Sequence, residues 1–140
     1  MAEHPVILLV EDNIDDEVLA LRALRKHQVR SQVVVARDGQ EAIDYLSGEQ
    51  SPPQLILLDL HLPRLSGLEV LQYIRNQPRT RLLPVVVLTT SDQDRDRLES
   101  YQLGANSYIR KPIDYRDFSD VVKRLSEYWL GTNLPPPATS

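Results

Sequence analysis

The sequence predicts an α/β fold in which a parallel sheet is covered by helices on both faces. Short apolar runs of strand length alternate along the chain with segments whose apolar residues recur at helical spacing. Five such units follow one another, and the right-handed crossovers that join parallel strands place helices on both sides of the sheet. For five strands, we expect a flavodoxin-like (βα)5 doubly wound sheet with strand order 2-1-3-4-5.

Four of the five predicted strands are nearly continuous apolar runs. A strand buried on both faces has this composition, whereas a half-exposed strand alternates apolar and polar residues. The runs lie at residues 6–10, 33–36, 55–58 and 85–88, and the fifth strand is predicted over residues 107–110. Prolines at positions 5, 53 and 84 lie at or just before the start of three of these runs, where a strand tolerates a missing N–H donor.

The segments between the strands carry helical spacing and helix-end signals. In the first segment, Ile14, Val18 and Leu21 recur at helical spacing, and acidic residues 15–17 fall in the first turn, where the helix dipole favours them. Further helices are predicted after the turn at Asp38-Gly39, from about Gly67 to Pro78, over residues 93–102 between an N-cap at Ser91 and a C-cap glycine at Gly104, and after an N-cap at Asp114.

The composition limits the class of protein. The 140 residues suffice for one ordinary domain with its own core. Because the chain has no cysteine, disulfide scaffolds, thiol catalysis and cysteine-ligated zinc are excluded. A net charge of -4 with scattered Arg and Lys argues against nucleic-acid binding, and no apolar run is long enough to span a membrane. We expect a cytoplasmic protein that binds neither nucleic acid nor a membrane.

Charged residues follow three of the predicted strands where each strand ends. Glu11 and Asp12 come after the first strand, Asp59 after the third and Lys111 after the fifth. The carboxyl ends of parallel strands lie at one edge of the sheet, where open α/β folds bind their ligands. Together these residues predict an acidic pocket with a single cation. Taken singly, each has a structural explanation, since acidic residues cap helices and lysine is commonly a solvated charge.

Such a pocket has the groups that phosphoryl transfer to a carboxylate requires. Asp59, at a strand end and before a loop, is the candidate phosphoacceptor. Glu11 and Asp12 offer oxygen ligands to Mg²⁺, which bridges to phosphate oxygens and offsets their charge. Lys111 supplies a mobile positive charge for one phosphoryl oxygen. Thr89, at the end of the fourth strand, offers a hydroxyl donor to another.

These residues resemble the receiver domains of two-component response regulators. The likeness covers nearly the whole chain and rests on Glu11-Asp12, Asp59 with Pro63 and Gly67, Thr89, and Tyr108 with Lys111-Pro112. The resemblance implies that a sensor histidine kinase donates the phosphoryl group and that the protein signals through altered contacts with other proteins. The segments VEDNIDDEVLALRAL, PVVVLTTSD, GANSYIRKPIDYRDF and YWLGTNLPP are most similar to the small single-domain response regulators of phytochrome-type histidine kinases.

The resemblance also implies roles that the pattern alone does not identify. Asp59 itself and the backbone carbonyl of His61 would complete the protein ligands of the metal. Thr89 would move toward phosphorylated Asp59, and Tyr108 would rotate inward behind it. The bond before Pro112 would be cis, a form found in about one X-Pro bond in twenty. The chain would be a phosphoacceptor that assists its own phosphotransfer and dephosphorylation, rather than an enzyme.

Three other interpretations remain open at this stage. A phosphatase would use Asp59 as its nucleophile, but His61 stands where such sites usually have a second carboxylate. A nucleotide- or flavin-binding module fits the fold, but the loop at residues 11–13 is acidic and lacks glycine. A receiver fold could also be a docking or dimerisation protein that needs no phosphorylation. The intact set of phosphorylation residues argues against this interpretation.

Within the set of phosphorylation residues, Glu11 stands where aspartate is frequent in the family. Its longer side chain would bind the metal either directly or through water.

The end of the chain lies beyond the repeating pattern. We divide the sequence into a receiver domain, residues 1–128, and a C-terminal extension, residues 129–140. Exposed apolar groups often mark protein contacts, and we expect a homodimer in which this extension packs on the partner's last helix or adjoining strand. The alternative is that it folds back on its own domain. The large apolar residues concerned are Tyr128, Trp129, Leu130 and Leu134.

Overall fold

The computed structural model describes residues 5–27 and 30–137, so the predicted domain 1–128 and extension 129–140 both reach beyond the described residues. The strands are β1 (Val6–Val10), β2 (Gln32–Ala36), β3 (Leu55–Leu58), β4 (Val85–Thr89) and β5 (Ser107–Arg110). The α-helices are α1 (Ile14–Lys26), α2 (Gly39–Leu46), α3 (Gly67–Asn76), α4 (Asp94–Gln102) and α5 (Tyr115–Glu127). A π-helical turn, Tyr128–Thr132, continues α5. None of the helices in the described ranges has the length and apolar character needed to cross a membrane.

The strands form one parallel sheet in the order β2-β1-β3-β4-β5. The predicted flavodoxin-like topology is therefore confirmed. Predicted and observed bounds coincide for β1, β3 and β5, and β2 and β4 are each one residue longer than predicted. Since the chain leaves β1 toward β2 on one side and returns to β3 on the other, a crevice opens at the carboxyl ends of β1 and β3.

The sheet separates two apolar cores, because successive side chains of a strand point to opposite faces. Leu8 and Ile56 belong to the core that includes the buried faces of α2 and α3. Ile7 and Leu57 belong to the other core, with the buried faces of α1 and α5. All four side chains are buried. Burial on both faces is the physical reason for the continuous apolar runs in the sequence.

Side-chain caps determine where most of the helices begin. Asn13, Asp38 and Asp114 each accept a hydrogen bond from a backbone N–H in the first turn of α1, α2 and α5. Ser66 forms a reciprocal capping box with Glu69 at the start of α3. The cap predicted at Asp114 is therefore confirmed.

The N-cap predicted at Ser91 is wrong. α4 begins after Gln93, and no side chain caps it. The Ser91 hydroxyl instead accepts a hydrogen bond from Gln93 N–H at 3.3 Å and donates to Asp96. Ser91 thus shapes the loop between β4 and α4 rather than the helix terminus.

The C-terminal segment packs partly on its own domain. Trp129 and Leu130 are half-buried against the core of α1 and α5, whereas Tyr128 and Leu134 are 48% and 89% exposed. The expectation of exposed side chains holds for Tyr128 and Leu134 and is wrong for the other two. The reason is helical spacing, because Trp129 follows the buried Leu125 by four residues and continues the apolar face of α5.

Candidate functional site

The carboxyl ends of the strands surround a cavity of about 510 Å³ at the crevice of the sheet. Loops after β1, β3, β4 and β5 contribute to its walls. The lining residues are Asp12, Asn13, Ile14, Asp15, Asp16, Asp59, His61, Thr90 and Lys111. An acidic pocket that contains a lysine therefore lies at the edge of the sheet where the sequence predicts one.

Asp59 lies directly after β3 with its two carboxylate oxygens in different environments. Its Oδ1 accepts hydrogen bonds from the backbone N–H of Leu60 at 2.7 Å and of His61 at 3.4 Å. Its Oδ2 lies 3.4 Å from the ammonium of Lys111. The carboxylate is thus held in one orientation, with Oδ2 directed at a cation. His61 is exposed and lies in the cavity wall.

The helix that follows Asp59 packs directly on its backbone. α3 begins at Gly67, whose N–H donates to Leu60 O at 2.9 Å. A Cβ atom on Gly67 would lie 2.2 Å from Asp59 O and 2.6 Å from Leu60 Cα, far inside van der Waals contact. Only glycine fits here, so the β3–α3 loop closes tightly behind Asp59.

Three carboxylates converge beside the cavity. Glu11, Asp12 and Asp59 each place one carboxylate oxygen within 4.8 Å of the other two. Glu11 and Asp59 are buried while Asp12 is exposed, so the cluster is open to water on one side. Carboxylate oxygens with this spacing fit a small, hard divalent cation that keeps part of its hydration shell.

The ammonium of Lys111 lies among the same carboxylates. Lys111 is only 8% exposed. Its Nζ contacts Glu11 Oε1, Asp16 Oδ2 at 2.8 Å and Asp59 Oδ2 at 3.4 Å. A lysine ammonium has three N–H donors and no acceptor, so three carboxylates satisfy it fully. The backbone of Lys111 is held at the end of β4, because its N–H donates a hydrogen bond to Thr89 O at 2.7 Å.

Burial and charge act in opposite directions on the pKa values of this cluster. Burial raises the pKa of Glu11 to about 7, although its hydrogen bond to Lys111 acts to lower it. Burial alone would lower the pKa of Lys111, but hydrogen bonds to Asp16 and Glu11 and the charge of Asp59 raise that pKa above its usual value. Lys111 is therefore a permanent cation in the pocket, whereas the charge of Glu11 depends on its cationic partner.

Asp16 belongs to the pocket, although its place in the sequence predicts only an interaction with the helix dipole. It is the third residue of α1, and its backbone N–H donates to the cap residue Asn13 at 3.0 Å. Its carboxylate reaches the ammonium of Lys111. A signal was present in the sequence, because the first turn of a helix that follows β1 lies at the same edge of the sheet as Glu11.

Thr89 and Tyr108 are joined through one residue of the β4–α4 loop. The buried Thr89 hydroxyl accepts a hydrogen bond from Ser91 N–H at 3.4 Å. The half-buried Tyr108 hydroxyl donates to Ser91 O at 3.1 Å. The β4 end of the cavity wall is formed by Thr90.

The bond between Lys111 and Pro112 is trans, since no cis peptide bond occurs in the described residues. The prediction of a cis bond is therefore wrong for this structure. Trans is the intrinsically favoured form of an X-Pro bond by about 0.5–1 kcal/mol. With the trans bond, the Lys111 side chain already reaches all three carboxylates.

The fold and the acidic pocket together define a signalling receiver. The sequence model of the response regulator receiver domain matches residues 7–123, which span the sheet and most of α5. The chain belongs to the response regulator receiver family. Receiver domains are phosphorylated by histidine kinases in two-component signalling and bind a divalent cation at an acidic pocket.

Similar proteins match this chain over nearly its full length. The probable methanogenesis regulatory protein FilR2 of Methanothrix harundinacea is 44% identical, over 96% of this chain and 90% of that protein. The response regulator Rcp1 of Synechocystis is 40% identical, over 95% of this chain and 94% of that protein.

Solved structures of response regulators are also similar to this chain over nearly its full length. The phosphorylated cyanobacterial phytochrome response regulator RcpA has a TM-score of 0.90 at 43% identity, covering 96% of this chain and 100% of that one. Mn²⁺-bound Rcp1 has a TM-score of 0.87 at 38% identity, covering 95% and 99%. The chain is thus a receiver related to phytochrome response regulators.

Proposed function

We propose that this chain is the phosphoacceptor of a two-component phosphorelay and that Asp59 receives the phosphoryl group. The observation that carries the proposal is the environment of Asp59, which has one oxygen held by two backbone N–H groups and the other facing Lys111. An Asp59 oxygen forms a bond to phosphorus as the phosphorus–nitrogen bond to the kinase histidine breaks. The products are an acyl phosphate on Asp59 and a free histidine on the kinase.

The chain assists this transfer without acting on a separate substrate. Groups that stabilise phosphoryl charge during transfer also stabilise it when water attacks the acyl phosphate. The same pocket therefore promotes both phosphorylation of Asp59 and its return to the carboxylate. The protein is a phosphoacceptor rather than an enzyme.

Glu11, Asp12 and Asp59 are proposed to hold Mg²⁺, with the backbone carbonyl of His61 as a further ligand. Bound Mg²⁺ supplies positive charge that offsets the charge on the phosphoryl oxygens. The spacing of the three carboxylate oxygens, within 4.8 Å, supports this assignment. The exposure of Asp12 leaves room for the water ligands that Mg²⁺ keeps. Glu11 has the reach to bind either directly or through one of these waters.

Lys111 and Thr89 are proposed to bind two of the phosphoryl oxygens. The ammonium of Lys111 already lies 3.4 Å from Asp59 Oδ2 and is close to where a phosphoryl group on that residue would lie. The Thr89 hydroxyl accepts a long hydrogen bond from Ser91 N–H, and among the described residues no acceptor takes its own proton, which can therefore go to a stronger acceptor. A phosphoryl oxygen is such an acceptor.

The signal is proposed to pass from Thr89 to Tyr108 through Ser91. Both side chains bind the backbone of Ser91, one at its N–H and one at its carbonyl. If Thr89 moves toward phosphorylated Asp59, its bond to Ser91 breaks and Tyr108 can leave the Ser91 carbonyl and turn inward. The surface formed by α4, β5 and α5 then changes shape, and a partner protein reads the change.

Intact mass after incubation with acetyl phosphate tests the phosphoacceptor directly. We expect one phosphoryl group on the wild type in the presence of Mg²⁺ and none on Asp59→Asn. Asp44→Asn, on the exposed face of α2, is the matched control and should be phosphorylated as the wild type is. A wild type that gains no adduct under trapping conditions would instead support a docking protein that needs no phosphorylation.

A phytochrome-type histidine kinase is the proposed donor, and the cytoplasm, where the kinase has ATP, is the proposed location. The likeness to RcpA and Rcp1 supports this choice over an unrelated kinase. Radiolabelled phosphotransfer checks it. A phytochrome-type kinase should label the wild type faster than a kinase of another class does, and equal rates from both would contradict the pairing.

We also propose a homodimer that depends on the C-terminal arm, defined here as residues 128–137. Tyr128 and Leu134 expose large apolar surfaces on this arm. Trp129 and Leu130 anchor the arm to its own domain, so they are not available to a partner. Three exposed prolines, residues 135–137, follow Leu134 and favour an extended chain that can reach a second protomer.

Sedimentation velocity of a shortened chain tests the dimer. Ending the chain at Asn133 removes Leu134 and the prolines but keeps the anchor residues. We expect a dimeric wild type and a mainly monomeric shortened chain, and Leu134→Ser should weaken association in the full-length chain. An unchanged association state in both variants would contradict an arm-mediated dimer.

A further inference from the structure

The three carboxylates that contact Lys111 differ in whether a metal ion would also bind them. Glu11 and Asp59 belong to the trio that fits a divalent cation, whereas Asp16 lies outside that trio. The side chains of Glu11 and Asp59 are 4% and 9% exposed, and that of Asp16 is 26% exposed. Lys111 therefore has two partners inside the metal cluster and one at its rim.

Lys111 and a divalent cation would compete for the carboxylates of Glu11 and Asp59. An ammonium in contact with Glu11 Oε1 and Asp59 Oδ2 competes with a divalent cation for these two carboxylates, and its charge repels that cation. The Lys111 side chain is 5% exposed, so its charge cannot be left without a partner when those oxygens are taken. A third carboxylate outside the metal cluster ends this competition if it binds the ammonium there, away from Glu11 and Asp59.

Asp16 is oriented for that task by the first turn of α1. In a capping box, the third helical residue turns back to accept the N–H of the cap residue. Here the N–H of Asn13 donates to Glu11 Oε2 at 3.1 Å, so the Asp16 carboxylate is not needed for capping. The Asn13 side chain holds the Asp16 backbone at 3.0 Å. The Asp16 carboxylate is left free to bind Lys111 at 2.8 Å, closer than Asp59 does.

We propose that Asp16 is a positioning residue that holds Lys111 at the rim of the pocket, so that Glu11 and Asp59 can bind a divalent cation while the buried ammonium keeps a carboxylate partner. The proposal rests on the proposed function, because it assumes that the carboxylate trio binds Mg²⁺. Asp16 contacts neither the metal cluster nor the phosphoryl group in this role. It acts through Lys111.

The neighbouring acidic residues provide a matched control. Asp15 has the same charge, lies in the same turn of α1 and lines the same cavity, but it is exposed and makes no ion pair among those seen in the described residues. Glu17 is already paired with Arg37 at 3.0 Å. Asp15→Asn therefore removes one negative charge that lies near the cavity and in the first turn of α1. The partners of Lys111 do not change.

Isothermal titration with Mg²⁺ alone tests the proposal in the full-length chain. We expect Asp16→Asn to weaken Mg²⁺ binding about tenfold, the effect of one hydrogen bond to a charged group. Asp15→Asn should weaken it about twofold or less, since an exposed charge is screened. Asp16→Ala should match Asp16→Asn, and urea unfolding should show that all variants remain folded.

Removal of Lys111 separates positioning from a plain charge effect. In a Lys111→Met background, we expect Asp16→Asn to weaken Mg²⁺ binding no more than Asp15→Asn does, because there is no ammonium left to hold. A tenfold effect that persists without Lys111 would overturn the proposal, as would equal effects of both substitutions in the wild-type background. A wild type that binds no Mg²⁺ would instead contradict the proposed function itself, and would be recognised before any variant is compared.

Discussion

The acidic pocket and the C-terminal arm are built in opposite ways. The pocket joins residues that are distant in sequence, such as Glu11 and Lys111, 100 positions apart, because the order of parallel strands brings their ends to one edge. The arm, residues 128–137, is a continuous segment that extends the last helix through Thr132 and then runs on outside any helix or strand. A site assembled by topology is determined by the whole fold, whereas a terminal surface is determined by a few local contacts.

The two regions also differ in what they contribute to stability. The pocket brings together four carboxylates and one ammonium, which contacts three of them, and this arrangement carries net negative charge without a bound cation. The arm instead adds apolar burial through Trp129 and Leu130. Substitutions in the pocket should therefore change ligand chemistry first, and substitutions in the arm should change folding or association first.

Lys111→Met gives the largest expected effect. Loss of the cation that faces Asp59 Oδ2 should slow phosphoryl uptake from acetyl phosphate about 100-fold, since one preorganised charge commonly contributes that much. Mg²⁺ affinity should rise in the same variant, because the competing ammonium is gone. Intact-mass time courses and calorimetric titration measure the two quantities.

Lys123→Met is the control for this variant, because the Lys123 side chain is 50% exposed and, among the described residues, its ion pair is with Glu127 at 3.8 Å. It should leave both uptake and metal affinity unchanged. Uptake by Lys111→Met within threefold of the wild type would show that Lys111 does not stabilise the phosphoryl group.

The next largest expected effect is on the free energy of unfolding, and it distinguishes a glycine behind the pocket from a glycine in the arm. Gly67→Ala should lower the free energy of unfolding by about 1–3 kcal/mol, because its Cβ would collide with the backbone of Asp59 and overpacking has that cost. Gly131→Ala, in the arm, meets nothing within 4 Å and should raise the free energy of unfolding by less than about 1 kcal/mol. Urea unfolding followed by circular dichroism measures both, and equal destabilisation by the two substitutions would refute the contrast.

Trp129→Ala is expected to have a smaller effect on folding and none on the chemistry. The side chain is half-buried, so its loss should lower the free energy of unfolding by about 1–2 kcal/mol, less than for a fully buried aromatic residue. The initial rate of phosphoryl uptake should equal that of the wild type. A large fall in that rate, in protein shown to be folded, would mean that the arm and the pocket are coupled.

Most of the fold could be predicted from the sequence because local signals and topology agree. Continuous apolar runs mark strands that are buried on both faces, and five alternating units leave few possible strand orders. Glu11, Asp12, Asp59 and Lys111 could be found for the same reason, since each follows a strand whose end lies at one known edge.

Other features depend on distances that a sequence does not contain. Asp16 resembled Asp15 in every local respect, and only the path of the Lys111 side chain distinguishes them. The half-buried position of Trp129 follows from α5 continuing past Glu127, although no strong signal marks that continuation. The cis bond at Pro112 was inferred from the family resemblance and not from any property of this chain, and the structure has it trans.

The position of Trp129 has a spectroscopic consequence. It is the only tryptophan in the chain, it lies at the end of α5, and its ring meets that of Tyr128 edge-on with centroids 4.9 Å apart. Its neighbour Leu130 lines a cavity with Pro5 and His27, at the edge of the sheet opposite the acidic pocket. Indole emission responds to local polarity, so we expect the intrinsic fluorescence of the unlabelled protein to report unfolding and contacts of the arm rather than events at Asp59.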